Sequence, residues 1–320
     1  MRKGAKIGLA VAAAACVALS LFNASWLAST PQGKLVLVAH RGTAQPVDRG
    51  VGREGCSALR IRPVAHTYIE NTLFSMQGAV AYGARGFALD VQPSADGHAV
   101  IFRDSTLECR TNGTGRVSQR PLAYLKALDV GHGYSADGGR TFPLRGRGVG
   151  AMPTAAEVIR AYPREELIFT LREPAAADAL VAGFRAAGVR IAGNHGFAGA
   201  APALARLRAL TDAGWVLDPE ASEACLAEYR RIGWLGIVPQ RCRGAALVLP
   251  REGGWTLWGW PYRFLNRLQG AGARFLILGE RDGDGLVGLE RPEQLGEVPR
   301  HYRGLLLIED MHDVGRSLRR

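Results

Sequence analysis

LVLVAHRG (residues 35–42), IENT (69–72) and GFALDVQPSADGHAVIFRDSTLECRTNGTG (86–115) follow one pattern: apolar, β-branched runs that end in polar or charged residues. Residues 35–39 read as a buried strand with His40 and Arg41 at its C-terminal end. Residues 87–91 read as a second strand, carrying Asp90. Ala95, Asp96 and Gly97 signal a turn, and residues 99–102 read as a third strand that ends at Arg103 and Asp104. Three successive strands thus deliver charged side chains at or near their C-terminal ends. In parallel α/β folds that edge binds ligands and carries the chemistry.

Outward from this core the alternation continues. Residues 70–82 read as a helix with Asn71 or Thr72 as N-cap. Thr154 and Glu157 form a capping box that starts a helix to about Tyr162. Further strand candidates are 167–171, 189–192, 215–218, 235–238, 245–249, 275–278 and 305–308, with helices such as 219–231 and 262–268 between them. Strand and helix alternating along the 320-residue chain imply a parallel α/β sheet. The candidates exceed the eight strands of a barrel, and periodicity leaves barrel and doubly wound sheet both open. Residues 43–69 and 131–150 are long Gly/Arg-rich loops, a kind that is either functional or disordered. Gly146, Gly148 and Gly150 are no dinucleotide fingerprint, because no strand leads into them.

Residues 1–30 read as a targeting segment: Arg2, Lys3 and Lys6 precede an apolar run from Ile7 to Phe22 that extends to Ala28. The run approaches the ~20 residues of a spanning helix. Trp26 suits the far interface, and the flanking cations place the N-terminus inside. Both an uncleaved anchor and a cleaved signal fit, and either sends residues 31–320, the second domain, out of the cytoplasm. There, Cys56, Cys109, Cys225 and Cys242 become disulfide candidates. Cys56 and Cys109 follow the first and third strands and share a face; Cys225 and Cys242 are close in sequence and flank a strand candidate. The expected bridges are Cys56–Cys109 and Cys225–Cys242. Zinc is disfavoured, since there is no C-x-x-C pair. The net charge of +11 suits phosphate esters or anionic lipid head groups. Nucleic acid is disfavoured: the basic residues are scattered and not interleaved with aromatics.

His40-Arg41-Gly42, Glu70-Asn71-Thr72, Asp90, Asp104, Leu107 and residues 110–115 together resemble the motifs of the glycerophosphodiester phosphodiesterase family, in order and in spacing. The resemblance implies a (β/α)8 TIM barrel with long active-face loops, preceded here by the membrane anchor or signal segment. It implies hydrolysis of a phosphodiester to glycerol phosphate and an alcohol. In the family a divalent cation is held by three carboxylates, two histidines act as acid and base, and the HRG arginine steadies the phosphate.

The chain departs from that pattern at three places. Ala88 stands at the first Glu of Glu-x-Asp, Arg103 at the second His, and Thr170 with Arg172 at the Glu and Lys of a later Glu-x-Lys. The candidate catalytic residues are therefore His40 and Arg41, and Arg41, Arg103 and Arg172 are candidates to hold phosphate. Asp90, with Glu70 as a second oxygen source, is the candidate site for Mg²⁺ or Ca²⁺, an incomplete one because hard cations want several oxygens. Glu70 reads equally well as a helix N-terminal charge. Arg103 cannot serve as the missing acid, since its pKa exceeds ~12. His66 and His132 lie in active-face loops and are candidates to replace it, whereas His98, His195, His301 and His312 read as surface or turn residues. Two functions follow: an extracytoplasmic phosphodiesterase acting on glycerophosphodiesters or lysophospholipid head groups with impaired catalysis, or a catalytically silent relative that binds an anionic head group or a partner at the membrane.

Overall fold

The computed structural model describes residues 3–48, 55–251, 253–279 and 286–318. Arg2 and residues 49–54 of the first long loop lie outside the described residues. The strands are β1 (Leu35–His40), β2 (Gly86–Pro93), β3 (Ala99–Ile101), β4 (Glu166–Leu171), β5 (His195–Gly199), β6 (Trp215–Val216), β7 (Ala246–Leu249), β8 (Arg274–Ile277) and β9 (Gly304–Ile308). The helices are α1 (Lys3–Asn23), α2 (Leu73–Ala81), α3 (Leu122–Lys126), α4 (Ala155–Ala161), α5 (Pro174–Ala187), α6 (Ala201–Leu210), α7 (Pro219–Ile232), α8 (Tyr262–Gly270) and α9 (Asp313–Ser317).

The chain divides into two compact units. The larger comprises Val36–Leu217, Leu278–Gly296 and Leu305–Arg320, and the smaller Met1–Leu35, Asp218–Ile277 and Glu297–Gly304. In the larger unit the strand order is β6-β5-β4-β2-β1-β9. In the smaller unit β7 pairs in parallel with β8. These eight parallel strands make a nearly closed (β/α)8 barrel, the expected fold. β2 is buried along its whole length, as a parallel strand covered on both faces must be. Phe87 packs on Tyr162 at the end of α4, with ring centroids 4.7 Å apart. By the two-residue period, Ala88, Asp90 and Gln92 then share the opposite face of the strand. Thr72 caps α2 and Thr154 caps α4, each in a capping box.

Four readings need correction. Residues 99–102 do form a strand, but β3 runs antiparallel to β2 and lies off the barrel path. It still brings Arg103 back to the site, because Phe102 N donates to Asp90 O at 3.0 Å. The strand expected at 189–192 is instead β5, HGFAG. Its small residues hide it from propensity, yet packing requires them: a Cβ on Gly196 would sit 2.3 Å from the Trp215 ring. Residues 235–238 form no strand; Gly233–Leu235 is a short 3-10 turn, and Leu235 and Ile237 are exposed. His195 is buried in β5, not a surface residue.

The long loops on the active face are packed rather than loose. Ala58, Ile61, Leu107, Val117, Leu125 and Tyr134 belong to a buried apolar cluster that joins the 55–69 loop to residues 100–152. Cys56 is bridged to Cys109 and Cys225 to Cys242, as expected.

Candidate active site

The site begins with a turn. His40 ends β1, and Arg41 and Gly42 take left-handed backbone angles, φ 63° and 81°. Gly42 is required there, since a Cβ would lie 2.4 Å from Ser75 Oγ and 2.8 Å from its carbonyl carbon. The turn is pinned on both sides. Arg41 N donates to Ala88 O (2.8 Å), and Arg41 O accepts from Asn71 N (2.8 Å). Arg41 is thereby aimed across the strand ends at the residues before α2 and in β2.

A chain of guanidiniums and carboxylates follows. Arg41 Nε donates to Asp90 Oδ2 at 2.8 Å, and its Nη1 donates to Glu70 Oε2 at 3.0 Å. Arg110 Nε donates to the other Glu70 oxygen at 2.6 Å, and Tyr134 Oη donates to that same oxygen at 2.9 Å. Arg110 also pairs with Asp104. Ser57 Oγ accepts from Arg110 Nη2 at 2.8 Å and from Arg103. Arg172, just beyond β4, lies 3.8 Å from Asp90 Oδ1. Burial by itself would raise the Glu70 carboxyl, but the Arg110 and Arg41 guanidiniums hold it well below the usual carboxylate range. Repulsion from Arg41, then burial, lowers the Arg103 guanidinium.

The imidazole has its own partner. His40, almost fully buried, shares a 2.6 Å hydrogen bond between Nδ1 and Glu309 Oε2. Glu309 follows β9, and Gly288 N donates to the same carboxylate oxygen at 3.0 Å. A carboxylate on Nδ1 fixes the tautomer that leaves Nε2 as the proton acceptor. Arg41, Glu70, Arg103, Arg172, His132 and Glu309 all border one cleft of about 830 Å³.

The structure therefore brings together His40, Arg41, Arg103, Arg172, Asp90 and Glu70. Of the two substitute histidines, His132 borders the cleft. His66 does not: its Nδ1 meets Gln45 Nε2 at 2.9 Å and its ring packs on Tyr68 and His312. Burial lowers His66 to about 4. Glu309, Arg110, Ser57 and Tyr134 were not picked out from the sequence. Glu309 was within reach of the rule that found His40 and Asp104, a charged residue directly after a strand. Arg110 lay inside the quoted RTNGTG piece without a role.

Enzymes of the family use a divalent metal, and the residues present here do not fit one. Both Glu70 oxygens are taken by Arg41, Arg110 and Tyr134, and Asp90 by Arg41 and Arg172. Asp90 lies in register with Thr170, and His40 with Ala88, so β4 and β2 add no carboxylate there. Of the other carboxylates on the cleft, Glu309 is engaged by His40 and Gly288 N and Asp104 by Arg110. The buried Oδ1 of Asn71 has no partner, but one amide oxygen cannot complete a hard-cation shell of about six oxygens. Among the described residues, Asp310, His312 and Asp313 do converge to within 4.8 Å. They are held by their own turn, where Asp310 Oδ1 accepts from Asp313 N, and they do not border the cleft.

The larger unit thus gathers guanidiniums and a carboxylate-bound imidazole at its strand ends. Residues 55–175, somewhat over a third of the chain, match the model of the Glycerophosphoryl diester phosphodiesterase family. An uncharacterized protein of Mycobacterium tuberculosis is 35% identical over 31% of this chain and 33% of its own length. A glycerophosphodiester phosphodiesterase of Caldanaerobacter subterraneus is 34% identical over 31% of this chain and 32% of its own length. The chain thus aligns with about a third of these relatives. Among solved structures, the glycerophosphoryl diester phosphodiesterase domain of the Mycobacterium tuberculosis protein covers 90% of this chain and all of its own, with a TM-score of 0.62 at 18% identity. A phosphodiesterase of Oleispira antarctica, solved with the product sn-glycerol-3-phosphate, covers 89% of this chain and 97% of its own, with a TM-score of 0.54 at 19% identity.

Proposed function

We propose that this chain is an extracytoplasmic phosphodiesterase that binds a glycerophosphodiester or lysophospholipid head group in the Arg41–Glu309 cleft and hydrolyses it slowly. The observation that carries the reading is the 2.6 Å His40–Glu309 pair next to Arg41. Residues 1–30 hold the protein at the membrane, and residues 31–320 form the phosphodiesterase-like domain. Arg41, Arg103 and Arg172 hold the phosphoryl oxygens and supply charge to the anionic transition state. His40 Nε2 takes the proton of the attacking hydroxyl as the new O–P bond forms, and Glu309 stabilises the resulting imidazolium. The bond from phosphorus to the departing alcohol then breaks, and the alkoxide must be protonated. Arg103 cannot supply that proton; His132 in the same cleft or water does. A Mg²⁺ or Ca²⁺ ion would use Asp90 and Glu70, and it would first have to displace Arg41 from both.

The paired carboxylates and Arg103 favour a second reading, a silent relative that binds an anionic head group. The assay is turnover of glycerophosphodiesters by the full chain, with and without chelator. Weak turnover that survives chelation and disappears in His40→Ala supports the enzyme. No turnover, with retained phosphate binding, would leave the silent relative.

A further inference from the structure

Three exposed apolar segments meet in the smaller unit around the end of α1. They are Trp26-Leu27, Trp234 to Ile237, and Trp255 with Trp258; Trp255 is 83% exposed and Trp26 74%. A hydrogen-bond web ties them together. Asn23 Nδ2 donates to Trp234 O at 3.0 Å. Arg267 Nη1 donates to Asn23 Oδ1 (2.9 Å), Gly233 O (3.1 Å) and Tyr229 Oη (3.3 Å). Tyr229 Oη donates to Trp258 O at 3.0 Å, and Trp258 Nε1 donates to Arg230 O at 2.9 Å. The Phe22 ring closes on Gly236, where a Cβ would lie 2.7 Å from it, and the Arg267 guanidinium stacks 4.9 Å over that ring. Cys225–Cys242 fastens the far end of the 233–242 segment to α7.

The web leaves Arg267 half-buried and Leu235, Ile237 and Trp255 outside. An apolar surface of this kind marks an interaction site. Tryptophan is the residue suited to a membrane interface, with one apolar body and one N–H that can find a polar partner. The occupant is argued from α1 itself. Its window Lys6–Asn23 is long and apolar enough to cross a membrane and only 6% of it is buried. Because Phe22 and Asn23 are fixed in the web, a bilayer that holds α1 brings the three segments to interface depth. Arg231 in α7 and Arg243 just past Cys242 are exposed and flank the 234–237 segment, where they complement anionic head groups; Arg241 is already paired with Glu228.

We infer that this face docks into the head-group layer of an anionic bilayer, forming a platform around the exit of α1. The inference rests on the reading of residues 1–30 as a membrane segment. The test uses the full chain in phosphatidylcholine–phosphatidylglycerol vesicles whose acyl chains carry bromine near the head group. Docking predicts quenched tryptophan emission, with the larger part of the quenchable signal lost in the Trp234→Phe, Trp255→Phe double variant. If the protein floats with the vesicles but only Trp26→Phe removes the quench, the platform is wrong and the anchor stands. If the protein does not float with the vesicles, the anchor falls and the platform with it. Emission that changes with protein concentration and ignores bromine would assign the face to a second copy of the chain and also overturn docking.

Discussion

Arg103 lies beside Arg41 and Arg110, whose repulsion lowers its pKa. A guanidinium starts above ~12, so it still donates hydrogen bonds and keeps its proton. Ala88 and Thr170 sit opposite His40 and Asp90 in register, and both are buried without charge. These three positions act as a unit with Asp90. Ala88→Glu, Thr170→Glu and Arg103→His together should raise Mg²⁺- or Ca²⁺-dependent turnover more than any single change. A restored general acid alone is worth roughly 10²–10⁴-fold. Steady-state kinetics with and without metal checks this, and native turnover equal to the triple variant would show that another group already supplies the acid. Glu70 gives a pH test. Its folded pKa lies below the unfolded value of about 4.3. Its ion pairs therefore stabilise the fold above about pH 4.3, and that stability is lost as pH falls through the folded value. Glu70→Gln should flatten the acid limb of the stability curve. It should also cost about 3–5 kcal/mol at neutral pH, since two buried guanidiniums lose their carboxylate. Denaturant unfolding across pH measures both.

At the scale of elements, the motif-bearing strands and the Thr154 capping box were legible because one rule governs each: a buried run with a charged end, or Thr three residues before Glu. The box at α2 pairs Thr72 with Ser75 and was legible only as an N-cap. β5 was not legible. Its sequence HGFAG is shaped by Trp215 and by Leu171, whose carbonyl oxygen would lie 1.9 Å from a Cβ on Gly199, and neither constraint is local. The run at 235–238 misled for the opposite reason: its apolar residues face outward. The Cys225–Cys242 pairing was right although the strand thought to lie between the cysteines is absent. Antiparallel β3 left its cargo correctly placed, because it folds back along the end of β2 and returns Phe102 and Arg103 to the level of Asp90. The loops that complete the cleft depend on the Cys56–Cys109 bridge next to Ser57, which links Arg103 and Arg110. Replacing both cysteines with serine should lower stability by about 2–4 kcal/mol and weaken phosphate binding. Thermal unfolding and titration with inorganic phosphate read the two effects, and unchanged phosphate affinity would detach the bridge from the site.

For the molecule as a whole, the barrel followed from the motifs and from the alternation of strand and helix, whereas strand counting alone overshot. The apolar helix of spanning length and the two disulfides agree with export. Cell fractionation with protease added from outside should find the protein at the membrane with its domain accessible; a soluble, protected pool would contradict that placement. The central claim is that guanidiniums, paired with the family's remaining carboxylates, hold the phosphate without a metal. Calorimetric titration of the full chain with sn-glycerol 3-phosphate, in chelator and then in Mg²⁺ or Ca²⁺, tests it most directly. Binding of equal strength is expected in both, lost in Arg41→Ala and weakened in Arg103→Ala. Binding that appears only when the metal is added would contradict it.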